Sequence, residues 1–450
     1  MQLYSREMRA WVDPADVFVT LYSKDTHSFW LDRQAHPLAR FSVMGHAHRA
    51  TALSATDALH HIEERKHSAS ASNSASNSGT DVPFQWRPGF VGWFDYLQDG
   101  LRPEALTGSW LEAREAVVFD HDARSIWFAG HFNDSEHFDE WVQAVMLRLA
   151  LSGGQSIGYR QKKRPKLPTA ITRFAHSPAE YLGLIEKAQA YIAAGDVYQV
   201  CLTNRVEFQH DLDPLAVFLR LRESNPAPYS AYVRAGERTL VCSSPEQFLM
   251  VDSEWVVSTK PIKGTRPRSA DPIEDQALAT ALAANAKERA ENLMIVDLMR
   301  NDLGKVSVPD SVRVTDLFKV EQYATVHQLV STVQANLQPG LAISELLAST
   351  FPAGSMTGAP KIRAMQIIDE LEAEPRGVYS GAVGHLATDG SLDLGMIIRS
   401  LVFEGSKVSL GVGGGITIDS DPRAELAETE LKAAALLSVL DAPNPWAIDW

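Results

Sequence analysis

Between Tyr229 and Val257 the chain carries three or four short apolar, strand-like runs with little but turn residues between them. Runs joined so tightly pair antiparallel, because a parallel partner needs a crossover of a dozen or more residues. Leu392 to Phe403 and Lys407 to Gly413 repeat the pattern as a hairpin about Glu404-Gly405-Ser406. Tyr198 to Phe208 reads as a further strand. Helices with clear start signals lie between these runs. Ser177-Pro178-Ala179-Glu180 is a capping box with proline at the first helical position, and the helix it opens buries Tyr181, Ile185, Ala188 and Ile192 before stopping at Gly195. Asp213-Pro214 opens another helix, Asp421-Pro422 opens a final one to about Leu440, and Pro272 to about Asn301 reads as one long helix. Strands in adjacent hairpins with long helices between them predict an α+β fold built on large antiparallel sheets.

The chain divides into residues 1–152, a linker over 153–171, and a more strongly patterned part, 172–441. Gly153-Gly154 and the basic run Arg160-Gln161-Lys162-Lys163-Arg164-Pro165 mark the linker. Within the first part, the Ser/Ala/Asn-rich stretch in 67–80 cannot bury a core and reads as a mobile surface loop. Hydrophobic residues make up 45% and charged residues 22%, as in ordinary globular proteins. The net charge, 42 − 56 = −14, argues against a broad nucleic-acid-binding face, so an anionic ligand needs local cations or a metal. No apolar run is long enough for a membrane span and the first residues lack a signal-peptide core. The two cysteines, Cys201 and Cys242, lie in apolar strand-like text, which fits a reducing cytoplasm better than a disulfide scaffold.

Polar groups interrupt this framework at a few places. Lys260, Lys263, Arg266 and Arg268 follow a strand-like stretch through a Pro/Gly-punctuated turn. Crowded positive charge and burial both favour the neutral, nucleophilic form of an amine, although a basic surface turn would look the same. Glu425, Glu428 and Lys432 share one face of the last helix beside the apolar stripe of Leu426, Ala433, Leu437 and Leu440. Glu288 and Glu291 are similarly related on the long helix. Facing carboxylates would suit Mg²⁺, and surface ion pairing is the other reading. Arg399 breaks the apolar run from Met396 to Val402, so a structural acid or an anionic ligand must answer it. Gly411-Val412-Gly413-Gly414-Gly415-Ile416 fits neither a dinucleotide fingerprint nor a P-loop. It either bares backbone N–H groups toward a carboxylate or lets another segment pass closely.

Taken together, these segments resemble the chorismate-utilising enzymes, the family of the anthranilate, aminodeoxychorismate, isochorismate and salicylate synthases. The resemblance rests on Asp196 to Val200, Ser244-Pro245-Glu246, Lys260 to Pro267, Glu288 to Asp302, Val326 to Ser331, Phe351 to Lys361, Tyr379 to Gly384, Arg399, Gly413 to Ile416 and Asp421 to Lys432. Phe41 to Gly45 and Gly89 to Gly92 match the family's weaker N-terminal pattern. The resemblance implies antiparallel sheets packed as a sandwich with helices outside, and chorismate as substrate. It implies Mg²⁺ held by Glu291 and Glu428 with Glu425 close by. It also implies that Tyr379 and Arg399, helped by N–H groups near Gly414 and Gly415, grip the enolpyruvyl carboxylate. Ser355 and Lys432 match positions near the ring carboxylate and the metal, and Glu246 matches the acid that protonates the departing C4 hydroxyl. His327 matches a histidine used by members that eliminate pyruvate.

Two positions separate the members. Water-adding members carry a lysine where this chain has Gln199, and an amide cannot take a proton from water at neutral pH, so the nucleophile implied is ammonia. At Lys263 the resemblance is to aminodeoxychorismate synthases, since anthranilate synthases have alanine there. That lysine is expected to attack C2 and then be displaced as ammonia enters C4. Phe29-Trp30-Leu31-Asp32 leans the same way, whereas His385 departs from the tyrosine many members carry. With no cysteine on an exposed sharp turn, the ammonia is expected from a separate glutamine amidotransferase subunit. Anthranilate synthase component I activity is the alternative.

Overall fold

The computed structural model describes residues 2–36, 39–49, 51–71, 82–97, 106–163, 169–323, 326–372 and 374–446. Two antiparallel sheets form its centre. One runs, strand by neighbouring strand, through Gln2–Met8, Ser125–Phe132, Glu115–Asp120, Phe41–His46, His27–Asp32, Tyr229–Ala235, Arg238–Ser244, Ser400–Glu404, Lys407–Ile416, Gln199–Gln209 and Gly358–Ala359. The other runs through Ile262–Pro267, Val326–Asn336, Val256–Lys260, Gln247–Val251, Leu392–Met396, Ala382–Ala387, Gly89–Phe94 and Gly108–Ala113.

Side chains of period-two strands fill the space between the sheets: Phe29 and Leu31 meet Val91, Trp93, Val233, Leu240, Val383 and Ile397 in one buried cluster. The outer face of the first sheet buries Val206 and Leu410 against Ile185, Leu219 and Leu436 from helices, and that of the second buries Leu249 and Leu394 against Ile295 and Leu346. The result is the α+β sandwich with helices outside. Strands from the first 152 residues belong to both sheets: His27–Asp32 pairs with Tyr229–Ala235, and Gly89–Phe94 pairs with Ala382–Ala387.

Local signals held where side chains fix them. Ser177 and Glu180 close their capping box on Pro178–Ala193, and Asp213 and Asp421 cap Pro214–Ser224 and Pro422–Leu440. Four expectations need correction. The long helix is two helices, Pro272–Ala284 and Ala286–Gly304, because Asn285 leaves helical geometry and its side chain accepts the Glu288 N–H. The supposed strand from Leu392 to Phe403 stops at Met396 and resumes at Ser400 in the other sheet, with Arg399 at φ +50° between them. The basic turn after Lys260 is largely strand, Ile262–Pro267, with a bulge. Within the linker, Gln155–Lys162 is helical, and Arg160 and Lys163 pair with Glu223 and Asp213 rather than with solvent alone. The stretch expected to be mobile begins inside the helix Ala55–Ala71, and its remainder to residue 80 lies outside the described residues. Among the described residues no helix is long and apolar enough to cross a membrane.

Candidate active site

Two chain segments pass from one sheet to the other side by side. The first crosses at Pro245-Glu246, between Arg238–Ser244 and Gln247–Val251, and the second crosses at Ile397 to Arg399. Backbone bonds tie the crossings together: Met396 N–H donates to Glu246 O at 3.0 Å and Ser243 N–H to Arg399 O at 3.1 Å. Tyr379 joins them through Ser380, at φ +67°, whose N–H donates to Ile397 O. Two non-glycine residues in left-handed geometry at one seam mark a place where local strain is held by its surroundings.

Lys263 approaches from the edge of the second sheet. Its strand bulges between Ile262 and Thr265, where Gly264 has φ +82°, and a Cβ at Gly264 would fall 2.9 Å from the Glu288 carboxyl carbon. The bulge sends the Lys263 ammonium to 3.6 Å from Glu291 Oε2. A Cβ on Gly415 would stand 2.7 Å from Gln199 Nε2 and 3.1 Å from Lys263 Nζ, so glycine is what lets these groups meet. Gln199 is fully buried, and both its amide atoms lack a hydrogen-bond partner. The other three cations of this segment have acidic partners too. Lys260 faces Glu321, Arg266 faces Glu288 and Arg268 faces Asp275, because acids from the flanking helices and strand match each one.

The glutamates gather around lysines. Lys287 Nζ lies 3.8 Å from Glu291 and 3.7 Å from Glu425, and Lys432 bridges Glu428 at 2.8 Å and Gly413 O at 2.9 Å. Burial and the nearby Glu428 raise the Glu425 carboxyl, while Ser420 donates to it. Burial works against ionised Glu428, but Lys432, Lys287 and Lys263 outweigh it and hold that carboxyl below its ordinary value. Among the described residues no three His, Cys, Asp or Glu side chains come close enough together to hold a metal as a group. Mg²⁺ needs only one or two carboxylates and water, and Glu291 and Glu425, already spanned by the Lys287 ammonium, with Glu428 on the next turn of the same helix as Glu425, are an oxygen-only set of that kind.

Glu246 is buried, and burial pushes its carboxyl up to about 7 against the pull of Ser355 and Lys263. Ser355 Oγ is itself buried and acts on Glu246 from beyond ordinary hydrogen-bond length. Among the described residues no carboxylate pairs with Arg399. Burial lowers its guanidinium pKa, and Tyr379 and Glu428 oppose that only from farther off. Gly411 to Ile416 lie in a strand whose pairing with Ser400–Glu404 ends at Leu410, so beyond it alternate N–H groups face away from the Gln199–Gln209 ladder. The Tyr379 ring rests against Gly411, where a Cβ would come within 2.2 Å, so the glycine run also admits a closely passing side chain.

His327 is fully buried, and its Nε2 meets Asp275 Oδ1 at 2.8 Å. His385 is buried opposite Asp393, which pairs with Arg33. Lys287 was not singled out from the sequence, although it stands four residues before Glu291 on one helix. Glu372 and Arg376, a buried pair behind Tyr379, were also missed.

Comparison with known proteins identifies the family. The pattern of a family described as chorismate binding enzyme matches residues 23–438. Aminodeoxychorismate synthase of Streptomyces griseus is 40% identical over 465 residues, covering 96% of this chain but 63% of that protein, so the chain spans somewhat less than two thirds of this relative. Aminodeoxychorismate synthase component 1 of Escherichia coli (strain K12) is 38% identical over 379 residues, covering 80% of this chain and 78% of its own length. The crystal structure of anthranilate synthase component I from Streptococcus pneumoniae TIGR4 superposes with a TM-score of 0.73 at 29% identity, over 90% of this chain and 92% of that one. By sequence pattern and by fold, the chain belongs to the chorismate binding enzymes.

Proposed function

We propose that the chain acts as an aminodeoxychorismate synthase component I, converting chorismate and ammonia to 4-amino-4-deoxychorismate, the precursor of 4-aminobenzoate and so of folate. The observation that carries this reading is the Lys263 amine beside the Gln199 amide and within the influence of the protonatable Glu246. Arg399 and Tyr379, with outward N–H groups near Gly414 and Gly415, bind the enolpyruvyl carboxylate, and Ser355 and Lys432 bind near the ring carboxylate. Glu246 gives its proton to the C4 hydroxyl, which leaves as water while the Lys263 amine forms a bond to C2 and both ring double bonds shift. Ammonia then bonds to C4, the electrons return, and the C2–N bond to Lys263 breaks. Amination thus lands at C4 and the enolpyruvyl group is kept. Glu291 and Glu428, with Glu425 close by, would hold Mg²⁺, which would supply positive charge for the ring carboxylate.

Both cysteines are buried and free, and burial raises both thiols, Cys242 to about 12. Neither suits glutamine hydrolysis, which supports ammonia delivery by a separate amidotransferase subunit, and reduced buried thiols support a cytoplasmic setting. The alternative, anthranilate synthase component I activity, is opposed by Lys263. Incubation with chorismate, Mg²⁺ and ammonium tests the choice: a non-fluorescent product that aromatises only with an added lyase is expected, and fluorescent anthranilate as the main product overturns the reading.

A further inference from the structure

The buried pair Glu372–Arg376 touches three of the elements that line the candidate site. Glu372 ends the helix Lys361–Glu372, and Arg376 follows it, 2% exposed at its side chain. Arg376 donates through Nε and Nη2 to the two Glu372 oxygens at 2.8 and 2.7 Å. Its remaining donors go to backbone carbonyls: Nη1 to Met356 O at 2.6 Å, next to Ser355, and Nη2 to Cys201 O at 2.7 Å, two residues from Gln199. Nη1 also reaches Ser380 Oγ at 3.4 Å, next to Tyr379, and the guanidinium stacks over Tyr96 at 4.5 Å. Glu372 Oε1 accepts from Thr203 N–H at 2.7 Å and from Thr203 Oγ1 at 2.9 Å. Thr203 pairs with Gly413, and Cys201 with Gly415, in the neighbouring strand.

A planar fork with five donors can hold two carbonyls and both oxygens of a carboxylate at once, four bonds that a lysine with three donors cannot make. We infer that Glu372 and Arg376 are positioning residues that set the relative places of Gln199, Ser355 and Tyr379 around the substrate. The inference rests on the proposed function for the role of those three side chains.

The test compares the parent chain with Arg376→Lys and Glu372→Gln, each assayed with chorismate, Mg²⁺ and ammonium well below its own melting temperature. Arg376→Lys keeps the charge and loses the two-carbonyl grip, so KM for chorismate is expected to rise about tenfold or more while kcat falls less. Glu372→Gln keeps the shape and an acceptor for Thr203, and an intermediate rise in KM is expected. If Arg376→Lys does not fold, the Glu372→Gln result decides alone. Variants that melt lower yet keep the parental KM and kcat would reduce the pair to a structural role and overturn the inference. A parent chain that does not aminate chorismate overturns the proposed function, and the inference with it.

Discussion

Lys263 and Glu291 face each other at 3.6 Å, the lysine from a bulged edge strand and the glutamate from the helix Ala286–Gly304. The proposed nucleophile and the proposed metal ligand therefore share one contact. Any cation drawn to Glu291 competes with the ammonium of Lys263 for the same carboxylate.

Substituting Lys263 tests its covalent role. Lys263→Ala should slow amination at C4 by at least about a hundredfold and leave chorismate binding largely intact, since other groups hold the carboxylates. Some attack of ammonia at C2 should emerge in its product spectrum. Lys263→Arg supplies charge without a usable nucleophile and should be equally slow. Parental turnover by the arginine variant would exclude a bond to Lys263.

Removing one carboxylate of the metal pair should be severe. Glu291→Gln and Glu428→Gln change little volume, and each should weaken Mg²⁺ binding by more than the roughly 10–100-fold that loss of an outer-shell partner costs. Titration of Mg²⁺ by calorimetry reads this directly, with circular dichroism as the folding control. Full activity of the parent in excess chelator would be incompatible with the metal assignment.

The raised Glu246 carboxyl predicts a pH limb. As general acid it works when protonated, so turnover at constant free ammonia should fall as pH rises through about 7. Glu246→Gln should abolish the limb and lose roughly 10²–10⁴-fold in rate. Stability follows the same sign. The folded state holds a proton that the unfolded chain releases above its ordinary value of 4.5, so stability is fully present below that value and is lost as pH rises toward about 7. Urea titrations at several pH values should show this slope in the parent and a shallower one in Glu246→Gln.

Nitrogen source gives a fourth outcome. The purified chain should use ammonium and show no glutamine-dependent turnover until an amidotransferase subunit is added, because both thiols are buried with raised pKa values. Glutaminase activity in the chain alone, measured as glutamate release, would contradict this.

Much of the fold was legible where a residue's chemistry acts over a few positions. Ser177 with Glu180, and Asp421 before Pro422, announce helices by satisfying free N–H groups, and both sit where their spacing places them. Arg399 shows the limit. A charged residue inside an apolar run signals a site, but its left-handed φ is set by two crossing segments far apart in sequence, and no local propensity encodes that. Asn285 was concealed by helix-favouring neighbours on both sides. The Lys263 segment was recognised as chemistry yet misread in form, since its partners Glu288, Glu291 and Glu321 come from elements the turn residues say nothing about. Glu372 and Arg376 stand four apart, but the helix ends between them, so the spacing no longer marks a shared face.

The interleaving of early and late strands within each sheet bears on how the chain is made. Gly89–Phe94 has its neighbour Ala382–Ala387 some 290 residues later, which at typical synthesis rates is a wait of roughly 15 to 60 s. Through that interval an apolar strand, with Trp93 and Phe94 destined for full burial, keeps an unpaired edge outside the ribosome. Expression should therefore depend on chaperone capacity more steeply than the stability of the finished protein would suggest.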